Sequence, residues 1–452
     1  MNTLGARYSR WSGGTHRNTR LRDFSVILVL LILSYFDFAS VLAVAVLGLA
    51  LSWSVRRLWP HGKAILQLWI AGFLVRIGVA IVQTGNQLVL VSNDANLYES
   101  NGRLFASLPI DEWSSKLGGY TSSVRGIVLL HGLTGKLNPV FRLGVYVALL
   151  SVAGSAVAVA MALRLILPRI SQRKRMPLTI FLSLSPAFVF WGSQNTKEGF
   201  VCFGLTLFVY GALQSKSRTQ IVVGMLICWA FRPYVAAIAL VAAVAALGYA
   251  KFLARREQAR PLLLASCFAV LLSLGILNGS SIAGRDITAY AGGVTRSGGG
   301  SLDPGFLGLS PSSPIIQGVR MFFTPPPWFI PKTPFELFSV LEGFVVAIVL
   351  IATMRRMFGP RGSRDFATLA TFLATFLICA VYGIGSNIGT NVRIRTTAYP
   401  LVFVLFVYSQ KFGASDEPAD VDARHRSPRA RLPEPYLADM PAHSVSLQRP
   451  RT

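Results

Sequence analysis

The chain has 452 residues, of which 52% are hydrophobic and only 14% are charged. Soluble domains average about 25% charged residues, so a soluble globular protein is excluded. The 44 Lys and Arg residues outnumber the 19 Asp and Glu residues, but they fall in short clusters between apolar runs. This distribution is typical of a polytopic membrane protein, and no nucleic-acid partner is expected.

Apolar runs long enough to cross a bilayer recur along most of the chain. A hydrocarbon core of about 30 Å requires about 20 helical residues. The sequence therefore predicts an all-α integral membrane protein, a polytopic bundle of about 12 transmembrane helices with outward-facing loops, within residues 22–411. The predicted spans are 22–36, 39–56, 64–84, 140–166, 177–193, 199–214, 219–231, 234–251, 261–279, 335–355, 366–384 and 397–411.

The distribution of Lys and Arg predicts how these spans are oriented in the plasma membrane. Cations accumulate in cytoplasmic loops, and most of them share one side when both termini are cytoplasmic. Residues 1–21 then form a basic cytoplasmic N-terminus, and residues 412–452 form a polar, disordered cytoplasmic tail. Two long connections, 85–139 and 280–334, face outward, so the functional site is expected on the outer side of the membrane.

The first candidate site residue is Asp94, in the segment Ser92–Glu99 that follows the third predicted span. A carboxylate at the membrane surface can accept a proton from an acceptor hydroxyl while a lipid-borne donor lies alongside. The alternative interpretation is structural, because Asp and Asn are common at helix N-termini and a helical pattern follows over 97–108. The residues themselves leave both interpretations open.

A cytoplasmic N-terminus, an Arg-bearing span (Phe73–Arg76) and an outer loop that opens with Asp94-x-x-x-Tyr98 resemble the GT-C superfamily of membrane glycosyltransferases. The resemblance implies many spans around an outward-facing cavity and polyprenyl-phosphate-linked sugars as donors. It also implies a catalytic acidic residue in the first large outer loop. Because two apolar segments precede the expected first span, that residue corresponds to Asp94 or to Asp37, which also fits a turn.

A second candidate stretch, Trp191–Glu198, joins two predicted spans at the outer face. An interfacial tryptophan and a lysine that extends toward lipid headgroups explain part of it. The stretch also resembles bacterial polysaccharide-assembly members of the same superfamily. That resemblance implies that Lys197 binds the donor phosphate and that Glu198 orients Lys197.

Arginines at predicted outer boundaries are further candidate phosphate ligands. Arg232 lies between two short apolar segments and would face headgroups or an internal cavity, since an unpaired guanidinium is costly there. Arg393 and Arg395 lie where positive charge is not expected, and a planar guanidinium binds two phosphate oxygens at once. The run from Asn387 to Pro400 also resembles the C-terminal signature of the polysaccharide-assembly proteins.

The outer connections contain two further residues of interest. Trp328 can stack on a sugar ring or anchor the chain at the membrane interface. His131 lies in an apolar stretch and is expected to be a surface histidine. No nucleotide-binding motif or metal-type His/Cys spacing is present in the sequence, so no cofactor is expected, ATP-driven transport is disfavoured, and a divalent metal is left open.

Together these features predict a membrane glycosyltransferase that moves a sugar from a polyprenyl-phosphate carrier to a cell-envelope glycan or lipid acceptor. Asp94 would be the catalytic base. The predicted donor-phosphate ligands are Lys197, Arg232, Arg393 and Arg395, with Glu198, Tyr98, Asn387 and Trp328 in support. One alternative is a polysaccharide polymerase or ligase that uses lipid-diphosphate-linked oligosaccharides. The other is a non-enzymatic transporter or flippase of lipid-linked glycans, in which the arginines line a passage and Asp94 caps a helix.

Overall fold

The structure is a computed structural model, and it describes residues 38–86, 93–120, 122–137, 143–215, 217–248, 334–358, 368, 371, 373–375 and 388–409. Several predictions lie outside these residues: the spans 22–36 and 261–279, most of the span 366–384, nearly all of the connection 280–334, both terminal segments, and the residues Asp37, Trp328 and Asn387.

Every regular element among the described residues is helical, as the sequence predicts. In chain order the α-helices are α1 (Phe38–Leu58), α2 (Lys63–Asn86), α3 (Asn93–Ser107), α4 (Trp113–Leu117), α5 (Ser122–Leu137), α6 (Leu143–Ile166), α7 (Gln172–Leu184), α8 (Pro186–Gly192), α9 (Glu198–Tyr210), α10 (Arg218–Phe231), α11 (Pro233–Gly248), α12 (Pro334–Phe358) and α13 (Ile388–Tyr408).

Four of the described helices, α1, α2, α6 and α12, are long and apolar enough to cross a membrane. Shorter apolar stretches occur in α9, α10, α11 and α13. Length and composition thus indicate membrane association, and the total of about 12 spans stays a prediction.

Helix α6 lies at the centre of the helical packing. Within its most apolar stretch 72% of the residues are buried, against 22% for α1, and α6 packs against α1, α2, α9 and α13. Small residues permit the close approach of α9: a Cβ added at Gly199 would lie 2.5 Å from the Ser151 carbonyl oxygen. This contact holds the first turn of α9, which begins at Glu198, against the central helix.

The predicted span 177–193 is two helices, not one. Helix α7 ends at Leu184, Ser185 has an extended backbone (φ −52°, ψ 119°), and Pro186 begins α8. Proline has no amide hydrogen to donate and disfavours a helical conformation in the preceding residue, so the chain breaks here. The break leaves carbonyl groups of α7 and amide groups of α8 that need other partners.

Two buried charged side chains from other helices bind the broken ends. The Arg76 guanidinium donates to the carbonyl oxygens of Ser183 at 2.6 Å and Leu182 at 3.3 Å. The Ala187 amide donates to Glu342 Oε1 at 2.9 Å. A cation at a helix C-terminus and an anion at a helix N-terminus match the helix dipoles. These contacts stabilise the end of α7 and the start of α8.

Glycines allow α9 and α10 to pack with their backbones in contact. A Cβ added at Gly224 would lie 2.6 Å from the Gly204 carbonyl oxygen and 2.6 Å from the Phe208 nitrogen. Both are backbone atoms, so the helices would have to separate. We expect Gly224→Ala to destabilise the protein by about 1–3 kcal/mol.

Thermal unfolding in detergent measures this effect, and Gly78→Ala in α2 is the matched control. Among the described residues, no atom outside the adjacent backbone of α2 lies within 4 Å of a Cβ added at Gly78, so that change should be neutral or stabilise by up to about 1 kcal/mol, the helix-propensity difference. Equal midpoints for the two variants would contradict the close packing at Gly224.

Candidate functional site

Helices α3 and α5 pack against each other and place Asp94 beside the connection between α8 and α9. Their contact is apolar, through Tyr98, Phe105, Ile127 and Val128. Helix α5 also packs against α10, and α3 against α6. Asp94 lies in the first turn of α3, a position that is compatible with both interpretations of this residue.

The connection between α8 and α9, residues 193–197, is buried although it is not helical. A buried loop needs partners for its polar groups. Asn195 provides two: its Nδ2 donates to the Ala95 carbonyl at 3.4 Å, and its own carbonyl lies 3.3 Å from His131 Nε2. The loop is therefore held against both α3, next to Asp94, and α5.

His131 is buried, so the prediction of a surface histidine is wrong. Burial lowers the pKa of His131 to about 4, despite the opposing hydrogen bond to Asn195. The ring is therefore neutral near pH 7, and Nε2 carries the proton that is donated to the Asn195 carbonyl. His131 supports the loop structurally and adds no charge to the site.

Four charged side chains form a continuous series that we call the ion-pair chain: Asp94, Arg393, Glu198 and Arg232. Arg393 Nη1 lies 2.7 Å from Asp94 Oδ2, and Arg393 Nε lies 3.0 Å from Glu198 Oε1. Arg232 Nη2 donates a hydrogen bond to the same Glu198 oxygen. The side chains are 45%, 11%, 2% and 2% exposed in that order. The chain thus runs from the protein surface into the interior.

The ion-pair chain assembles where several helices begin or end. Glu198 is the first residue of α9, Arg232 directly follows α10, and Arg393 precedes the apolar stretch Arg395–Tyr408 of α13. Stacking of the Phe200 and Phe231 rings, with centroids 4.4 Å apart, holds the ends of α9 and α10 together. A carboxylate at the start of α9 is also favoured by the helix dipole.

Two aromatic rings lie beside the cations of the site. Lys197 Nζ is 5.5 Å from the centre of the Tyr98 ring, and Arg393 Cζ is 5.8 Å from the centre of the Trp191 ring. Both distances permit cation–π attraction. Tyr98, which the sequence places in the Asp94-x-x-x-Tyr98 motif, and Trp191 therefore belong to the site.

Lys197 adds a positive charge to an otherwise balanced cluster. The ion-pair chain has two carboxylates and two guanidiniums. Burial, with a contribution from Arg232, lowers the pKa of Lys197 from its ordinary value of 10.5 to about 7. A bound anion would raise that pKa again. The cluster therefore suits one anionic ligand.

The buried Lys197 predicts a pH dependence of stability. Between about pH 7 and pH 10.5 this lysine is neutral in the folded protein and protonated in the unfolded chain. The unfolded chain then binds more protons, so stability increases as pH rises through this window. Thermal midpoints of wild type and Lys197→Met, measured across the window, test this. The thermal midpoint of the wild type should rise more steeply with pH than that of Lys197→Met. Parallel curves of midpoint against pH would contradict the buried lysine.

Arg395 belongs to a different network from Arg393. It is buried, and it donates to Tyr399 Oη at 3.0 Å and to the Ser339 carbonyl at 2.8 Å. Tyr399 in turn donates to Glu342 Oε2 at 3.2 Å. This network joins α13 to α12 and, through the Glu342 contact with Ala187, to α8.

Helical geometry explains why Arg393 and Arg395 belong to different networks. The sequence pattern suggested two arginines with alternating spacing, but residues 388–408 are helical, and positions two apart on a helix point about 200° away from each other. Of these two arginines, Arg393 is therefore the candidate phosphate ligand.

The structure thus brings together six of the predicted site residues: Asp94, Tyr98, Lys197, Glu198, Arg232 and Arg393. The sequence missed Asn195 and Glu342. Glu342 had a signal, because it is an isolated carboxylate within an apolar run, and such residues are commonly functional or paired. In the part of the chain that the structure describes, no group of three or more His, Cys, Asp or Glu residues could hold a metal ion.

Comparison of the chain with protein-family models, with curated proteins and with solved structures found no match. The function is therefore inferred from the side chains of the site and their contacts.

Proposed function

We propose that this chain is a membrane glycosyltransferase that moves a sugar from a polyprenyl-phosphate-linked donor to a cell-envelope glycan or lipid acceptor. One observation carries the proposal: the half-exposed carboxylate of Asp94 contacts Arg393, whose other edge faces the buried Glu198. A proton acceptor and an anion ligand thus lie next to each other, which suits a transfer from a phosphate leaving group.

The surroundings favour a lipid-borne phosphate. Arg393 lies two residues before the apolar stretch of α13. The large apolar side chains Leu226 and Trp229 of α10, a few residues before Arg232, are exposed. A phosphate headgroup at Arg393 and Lys197 would therefore have apolar helix surfaces nearby for its hydrocarbon chain.

The proposed reaction is a single displacement. The acceptor hydroxyl oxygen bonds to the anomeric carbon as Asp94 takes the hydroxyl proton. The bond between that carbon and the phosphate oxygen breaks, and the polyprenyl phosphate leaves with the electron pair. Arg393 and Lys197 stabilise the negative charge that develops on the leaving phosphate. One base and one displacement predict inversion at the anomeric carbon.

Transfer by the purified protein in nanodiscs tests the proposal. With a labelled polyprenyl-phosphate sugar and a glycan acceptor extract, we expect release of polyprenyl phosphate and a labelled product. Arg393→Lys should lower kcat/KM by about 10²–10³-fold, because one ammonium cannot replace the two edges of the guanidinium. Arg103→Lys, in an exposed pair with Glu99, is the control and should act like wild type.

Two results would overturn the proposal. A donor that binds but is never cleaved, and that crosses the bilayer of protein-containing vesicles, would favour the transporter. Release of polyprenyl diphosphate from lipid-diphosphate-linked oligosaccharides, with the monophosphate donor inert, would favour the polymerase or ligase.

A further inference from the structure

We propose that the Asp94 carboxylate occupies, on Arg393, the place that a phosphate takes, and that phosphate binding releases Asp94 for proton transfer. This inference rests on the proposed function and specifies how the same site is regulated. The site would then have two states, one with Asp94 on Arg393 and one with the phosphate on Arg393.

The first support is the asymmetry of the two Arg393 contacts. On one edge, Nε faces Glu198, which is 2% exposed and also accepts a hydrogen bond from Arg232. On the other edge, Nη1 faces Asp94, which is 45% exposed. The buried contact is fixed by a third charged group, whereas the outer contact is open to solvent. An incoming anion therefore reaches Arg393 at the edge that Asp94 occupies, because the other edge is buried against Glu198.

The second support is the charge of the cluster. With Asp94 in place, the two guanidiniums are balanced by two carboxylates, and Lys197 lies close by over the Tyr98 ring. The phosphodiester of a polyprenyl-phosphate-linked sugar has two terminal oxygens that accept hydrogen bonds, so one can bind the outer edge of Arg393 and the other the Lys197 ammonium. Because the phosphate is not attached to α3, it can take the position in which both cations contact it.

The third support is the chemistry that the exchange would permit. A carboxylate paired with a guanidinium has an oxygen that is already engaged as a hydrogen-bond acceptor. Once the phosphate has taken Arg393, the Asp94 oxygen is free while its backbone stays in the first turn of α3. The base would thus become available only when the donor phosphate is bound beside it.

Phosphate binding to the full-length protein tests the exchange. The protein is placed in neutral phosphatidylcholine nanodiscs, and affinities for farnesyl phosphate and for inorganic phosphate are measured separately by calorimetry. Asp94→Asn removes the competing anion and should bind about twofold to fivefold more tightly than wild type, because the partly solvated pair that the phosphate replaces contributes at most about 1 kcal/mol. Asp94→Glu keeps a carboxylate and should bind like wild type.

Glu112→Gln removes one negative charge from an exposed position and should leave the affinity unchanged, which controls for net charge. Tighter binding of farnesyl phosphate alone by Asp94→Asn would support exchange with a lipid-borne phosphate. Tighter binding of inorganic phosphate as well would support exchange in which the headgroup alone is recognised. Equal or weaker binding of both probes by Asp94→Asn, with an unchanged thermal midpoint, would overturn the inference.

The result is separable from the proposed function. If Asp94→Asn binds more tightly but wild type transfers no sugar, the exchange stands and the glycosyltransferase proposal fails. If wild type transfers sugar but Asp94→Asn binds phosphate no more tightly, the glycosyltransferase proposal stands and the exchange fails.

Discussion

Glu198→Gln is expected to lower the free energy of unfolding by about 3–5 kcal/mol, the typical cost of removing one partner of a buried ion pair. Glu198 is 2% exposed and faces both Arg232 and Arg393. The amide keeps the shape of the side chain but removes the negative charge. Two guanidiniums would then share a buried region with Lys197 and with only Asp94 to balance them.

Thermal or denaturant unfolding in detergent measures this loss, and Glu99→Gln is the matched control. Glu99 pairs with Arg103 one turn along α3, and the two side chains are 23% and 49% exposed. Exposed pairs contribute at most about 1 kcal/mol, so this change should have little effect. Similar losses for the two variants would contradict a buried, shared carboxylate at Glu198.

A double variant tests whether the loss comes from unpaired charge. Glu198→Gln combined with Arg232→Gln removes one cation with the anion, so part of the stability should return. If the double variant loses the sum of the stabilities lost by the two single variants, the two side chains act independently.

Asp94→Asn is expected to lower kcat by about 10²–10⁴-fold, the usual contribution of a general base. Because the variant should hold the donor phosphate more tightly, KM should fall together with kcat. Stability should change by less than about 1 kcal/mol, since Asp94 is half-exposed and its pair with Arg393 is partly solvated. Single-turnover kinetics with labelled donor separate binding from transfer.

The control for this variant is again Glu112→Gln, which should keep the wild-type kcat. Unchanged kcat in Asp94→Asn would contradict the role of the carboxylate as base. It would leave the helix-cap interpretation of Asp94 in place.

The sequence singles out most of the charged residues that the structure brings together, because charged residues at the ends of apolar runs are few. Asp94, Lys197, Arg232 and Arg393 each follow or precede such a run. Helices of a bundle share their ends, so these positions were expected to meet at a membrane boundary. The particular pairing of Asp94 with Arg393, which are 299 positions apart, depends on tertiary packing that no local pattern contains.

The remaining differences between the sequence predictions and the structure have local physical causes. The average hydropathy of residues 177–193 suggested one span, but Pro186 breaks the helix there. The break is stabilised by Arg76 and Glu342, two isolated charges within apolar runs. The sequence pattern identifies Arg76 as part of a motif but gives no partner for it. Spacing groups Arg395 with Arg393, whereas the helical conformation of that segment directs the two side chains to different partners.

In the proposed mechanism, Arg393 binds the donor phosphate next to Asp94. A cryo-electron-microscopy structure of the Asp94→Asn protein with a polyprenyl-phosphate sugar tests it most directly, since this variant should bind the donor without consuming it. We predict phosphate density in hydrogen-bond contact with Arg393 and Lys197, and the anomeric carbon near the side chain of residue 94. Density for the phosphate at another place, with Arg393 still held by Glu198 alone, would contradict the account.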